Sequence, residues 1–272
     1  MNVRHLRWAA LAAVMVWSTG SSAFAAISAT YIGQIGNSGG AVSLAGVGAK
    51  NASNGGQFQW LRNASLDVTT TIYNAPTGLF TSGGGSNFTG FCIDLEQFTG
   101  GTDSYDLISA ALAPRPPLAG PPTTPMTAAG ADRVAQLWAS HVHGDTLAVT
   151  TAAGRAAMAI ALWEAVYDSP PLSGGAGTMS LTGGDFTASA SAAATTAAAW
   201  LAALVPISDL SAARSNVAVM SDTFVPSGFT RQDMIVELGP GFALDAPEPA
   251  SFAVWAGLGL VGLAFGWRRR KS

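Results

Sequence analysis

The chain has 272 residues, a formal net charge of −3 and one cysteine, and only 11% of its residues are charged. Between Ala26 and Ala246 seven basic residues stand against fifteen acidic ones, which excludes nucleic acid and anionic lipid as partners, since both are bound by clustered Lys and Arg. The lone Cys92 excludes an intramolecular disulfide, so a body of this length must be held by burial.

The first residues, Met1 to Arg7, are cationic, and the apolar run Trp8 to Trp17 and the small residues Ser22-Ala-Phe-Ala25 follow. That order predicts a secretory signal peptide over 1–25, read by Sec-type export machinery. From Ala26 to Leu112 the β-branched and aromatic residues come in short runs separated by Gly, Asn and Ser. Strands are expected at Ala29–Gln34, Ala41–Leu44, Gln57–Leu61, Leu66–Tyr73 and Asn87–Leu95. Alternation in the third of these puts Phe58 and Trp60 on one face.

A proline-rich crossing from Pro114 to Pro125 follows, too poor in backbone donors for sheet or helix and so expected to be an extended connector. Beyond it the apolar period becomes helical. Ala131, Val134, Trp138 and His141 share one face of a helix over Ala128–Ser140, and Ile160, Trp163 and Tyr167 share one over Gly154–Tyr167. Asp185 is the expected N-cap of an alanine-rich helix over Thr187–Leu204. Asn216–Met220 and Met234–Leu238 have the composition of strands returning to the first sheet. Strands, helices, then strands predict an α+β mature domain over 26–245: a β-sandwich-like body with a helical insertion at about 128–204.

Residues 246–272 form a separate unit: Pro247-Glu248-Pro249, an uncharged stretch from Ser251 to Trp267, then Arg268, Arg269, Arg270 and Lys271. A helix from Ala250 to Trp267 would be about 27 Å long, close to the roughly 30 Å hydrocarbon core of a bilayer. It is therefore expected to be a single C-terminal transmembrane helix, with the four cations as its stop-transfer signal on the cytoplasmic side. Gly257-Leu-Gly-Leu-Val-Gly262 matches the glycine pattern of a dinucleotide site but lacks the βαβ context that gives the pattern its chemistry. No cofactor is implied.

The proline–glutamate–proline tripeptide, apolar helix and terminal arginine cluster, in that order, resemble the PEP-CTERM sorting signal. The resemblance implies that an exosortase recognises the tail while it sits in the inner membrane. It further implies that the protein is exported to the cell surface or an extracellular matrix, where exopolysaccharide and other surface components are its expected partners. Its mature domain is then expected to be structural or adhesive and not an enzyme.

Two internal segments, Phe91-Cys92-Ile93-Asp94-Leu95 and Arg155 to Asp168, resemble a thioester-domain-like group of such proteins. The resemblance makes Cys92 a candidate reactive thiol and implies a glutamine in the helix whose carboxamide condenses with it, giving a covalent adhesin. That helix position is Ala159 here, which has no carboxamide; Gln97 and Gln136 remain as substitutes, and a small buried strand residue is the other role open to Cys92. Asp94, Glu164 and Asp168 would be the carboxylates of an extracellular polysaccharide hydrolase if they faced one another. His141, His143 and Asp145 are the only grouped metal-ligand types, and they lack a further ligand, so no metal site is expected.

Overall fold

The computed structural model describes residues 25–35, 41–44, 48–51, 56–63, 70–93, 95, 100–115, 124–142, 149–168, 179–204, 217–221 and 232–240. The signal peptide up to residue 24 and the whole 246–272 segment lie outside the described residues. Among the described residues no helix is long and apolar enough to cross a membrane.

The longest strand, β1 (Ala25–Ile35), organises the sheet. Its first half pairs antiparallel with β8 (Thr102–Ser109), Ile27 opposite Tyr105. Its second half pairs with β4 (Gln57–Arg62), Tyr31 opposite Trp60, with a register shift between Tyr31 and Gly33. A long strand that turns from one neighbour to the other through an irregularity bends the sheet. β4 continues to β7 (Asn87–Cys92), β7 to β13 (Met234–Glu237), β13 to β12 (Val217–Ser221), and β12 back to β8. The circuit is a closed six-stranded barrel, not the two-layered sandwich expected from the sequence. The same alternation of apolar residues serves either architecture, and pairing of the two edges decides between them.

Register sorts the side chains. Residues directly opposite each other share a face, so Ile27, Trp60, Phe88, Cys92, Tyr105, Leu107, Met220 and Met234 line the inside, each at most 1% exposed. The Trp60 ring meets Tyr31 and Tyr105 edge-on at 5.6 and 5.5 Å between centroids, the geometry in which aromatic pairs attract beyond their area. Phe91, Val217, Val219, Ile235 and Glu237 point outward and are buried too, each at most 2% exposed.

Over β7 and β13 the outer face meets the helical layer. α1 (Ala128–His141) starts at Thr127, whose hydroxyl accepts the Gly130 N–H at 3.0 Å. α2 (Ala152–Tyr167) starts in the same way at Thr151. It begins two residues before the expected boundary because Thr151 is the cap. α3 is Ala192–Ala202, capped by Ser191 and not by Asp185. Thr187 and Ala188 leave the expected helix and join Phe186 in strand β11 (Phe186–Ala188), paired with β2 (Ala41–Leu44), which also pairs with β3 (Gly48–Asn51). Burial of Phe186 beside Trp163 overrides helix propensity there.

Of the run expected at Leu66–Tyr73, the structure gives β5 (Ile72–Asn74), hairpinned to β6 (Leu79–Thr81); residues 64–69 lie outside the described residues. The ends of the proline-rich crossing pair as β9 (Pro114–Arg115) and β10 (Thr124–Pro125). Pairing is open to them because Arg115 and Thr124 face each other and each retains an N–H.

Candidate functional site

Cys92 ends β7 opposite Met234, the first residue of β13. One step further the strands are still joined, with the Ile93 N–H donating to the Asp233 carbonyl at 3.1 Å. Strand alternation puts Gln232, two residues before Met234, on the inner face diagonal to Cys92. There the Gln232 side-chain Nε2–H donates to Cys92 Sγ, so the carboxamide carbon lies one bond from the atom touching the thiol. Cys92 is fully buried and Gln232 is 6% exposed.

Close approach of the two strands depends on Gly90. A Cβ at residue 90 would stand 2.8 Å from the Ile235 carbonyl oxygen and 3.1 Å from Val236 Cγ1. No side chain larger than hydrogen lets β13 lie against β7 at this point.

The carboxamide that meets Cys92 is therefore none of those weighed from the sequence. Ala159 is buried within α2. Gln136, on α1, accepts from Arg133 Nη1 at 3.2 Å, and Gln97 and Asp94 lie outside the described residues. Helix spacing does not reach Gln232. Its one signal in the sequence is its place two residues before the strand expected at Met234–Leu238, and the pairing of that strand with the cysteine strand is a tertiary fact.

Asp168 caps α2, and its carboxylate accepts the backbone N–H groups of Asp185 and Phe186 at 2.7 and 2.9 Å. Gly184, at φ +102°, packs against the same carboxylate. Glu164, one turn earlier, is 1% exposed. Burial first and the Asp168 charge second raise its carboxyl to about 8, with the Ser180 backbone hydrogen bond pulling the other way. The Asp168 carboxylate is thus committed to the backbone of the 180–186 loop, whereas Glu164 Oε2 is buried with no hydrogen-bond partner among the described residues.

A protonated native Glu164 makes a pH prediction. Its pKa is higher folded than unfolded, so between about 4.5 and about 8 the native state holds the extra proton and stability falls as pH rises. The melting temperature is expected to decline across that window, and Glu164→Gln to remove this part of the decline. A melting curve taken at several pH values checks it; an identical slope in the variant refutes the assignment.

His141 stacks on Trp200 of α3, with centroids 4.2 Å apart and planes 16° from parallel, and burial lowers its pKa. His143 and Asp145 lie outside the described residues. Among the described residues no group of three or more His, Cys, Asp or Glu is arranged to hold a metal ion.

Against this geometry, a family model described as the PEP-CTERM protein-sorting motif matches residues 245–271. The chain carries a PEP-CTERM protein-sorting motif. The match takes in Pro247, Glu248, Pro249 and the cations from Arg268 to Lys271. It implies that this PEP-CTERM protein is exported and sorted to the cell surface by an exosortase. No curated protein and no solved structure matches the chain.

Proposed function

We propose that this PEP-CTERM protein is a covalent adhesin, armed by an internal thioester between Cys92 and Gln232. The observation that carries the reading is the Gln232 carboxamide held against the Cys92 sulfur inside the barrel. Attack of Sγ on the Gln232 carbonyl carbon forms the C–S bond and breaks the C–N bond; the thiol proton leaves with the departing nitrogen as ammonia. An amine or hydroxyl on a second surface then attacks the same carbon, forming an amide or ester and returning the proton to Cys92 sulfur. Burial suits the intermediate, because a thioester shielded from water is shielded from hydrolysis.

Each molecule reacts once, so the protein is not an enzyme and needs no cofactor. The partner chemistry is an accessible amine or hydroxyl on an exopolysaccharide or another cell-surface component. Residues 1–25 act as the leader for Sec-type export. The 250–267 span holds the chain in the inner membrane until the exosortase acts at the Pro247-Glu248-Pro249 segment, and Arg268 to Lys271 keep the end cytoplasmic.

Intact-mass measurement tests the reading. The purified mature domain is expected to weigh one ammonia less than its encoded sequence, and hydroxylamine is expected to release the thiol. A mass equal to the encoded sequence, with a thiol that titrates before treatment, would leave the domain a non-covalent surface component.

A further inference from the structure

We infer that Trp138 is a positioning residue for the Cys92–Gln232 pair, clamping the two strands that carry it from the opposite side of the barrel wall; the inference rests on the thioester reading. The two strands β7 and β13 are joined through only a short register, Cys92 with Met234 and Phe91 with Ile235. A slip of one residue there would turn Gln232 to the outer face, because side chains alternate with a period of two. A slip of two residues would carry it roughly 6–7 Å along the strand, out of reach of the sulfur.

Trp138, on α1, touches both strands at once. Its ring meets Phe91 of β7 edge-on, centroids 5.8 Å apart and planes at 89°. Its indole Nε1–H donates to Glu237 Oε2 of β13 at 2.9 Å. Phe91 immediately precedes Cys92 and pairs with Ile235, and Glu237 sits two residues beyond Ile235, so the contacts tie β7 to β13 at the end of the shared register away from Gln232. Glu237 is fully buried and Trp138 is 2% exposed. A buried polar contact of this kind adds direction where apolar packing tolerates sliding, which is the best attested use of buried polar groups. The other buried tryptophan of the helical layer, Trp163, has no hydrogen-bond partner for its Nε1 among the described residues. It therefore supplies a control in which an indole is lost without loss of a clamp.

The test compares exported mature chains carrying Trp138→Phe, Glu237→Gln and Trp163→Phe, each first shown folded by circular dichroism, with the thioester-bearing fraction read by intact mass. Trp138→Phe keeps the aromatic edge and deletes the donor; the fraction is expected to fall roughly tenfold. Glu237→Gln keeps an acceptor and is expected to match the unaltered chain, as is Trp163→Phe. An undiminished fraction in Trp138→Phe, or an equal fall in Trp163→Phe, overturns the clamp. If the unaltered chain has lost no ammonia, the functional reading fails instead, and the Cys92 thiol reads the clamp separately. A buried thiol reacts only when the strands part, so Trp138→Phe is expected to speed alkylation of Cys92 in the folded chain roughly tenfold and Trp163→Phe to leave it unchanged. Alkylation unaffected by Trp138→Phe overturns the clamp in that case too.

Discussion

Gln232→Ala is expected to leave a folded domain whose mass equals its encoded sequence and which captures no amine. The side chain lies at the mouth of β13, two residues before the strand, so its removal is expected to cost about 1 kcal/mol, the common size of a single substitution. The chemical loss is complete, because alanine offers no carbonyl carbon to the sulfur. Cys92→Ala is expected to give the same chemical phenotype, and the double variant no further loss, since the two groups act as one unit. Methylamine labelling followed by mass spectrometry checks all three. Labelling that persists in Gln232→Ala would move the acyl group to another residue.

Removing residues 247–272 is expected to release essentially all of the protein from the cell without sorting, while the mature domain remains folded. Carrying four cations through the bilayer core costs on the order of 10 kcal/mol on insertion scales, which is why the intact chain stops there. The matched segment begins at residue 245, beyond β13, which ends at Glu237, so no described strand is cut. Cell fractionation with an antibody to the mature domain reads the result. Equal retention of the truncated and intact chains would remove the tail from the sorting pathway.

The helical layer was legible because period and capping agree: Trp138 and Val134 mark the buried face of α1, and Trp163 that of α2. Thr127 and Thr151, directly before the first turns, are the caps that set where α1 and α2 begin. The strand β8 was missed although Tyr105 and Leu107 alternate with Ser104 and Asp106, because acidic residues break the apolar run. Barrel closure was not legible at all. It depends on β1 pairing with both β4 and β8, and pairing partners are tertiary facts that composition does not encode. The site was half legible: the segment around Cys92 identified the thiol, whereas Gln232 lies 140 positions away and is joined to it only by strand register.

That long interval has a consequence for timing. A chain threaded outward from its N-terminus delivers the cysteine strand early and the glutamine strand almost last, just ahead of the sorting segment. Until the final strand docks, the sulfur has no carbonyl carbon to attack, so on the thioester reading the molecule travels unarmed. On that reading the reactive bond is completed only as export is completed, and the order of the sequence keeps it from the cell's own amines until then.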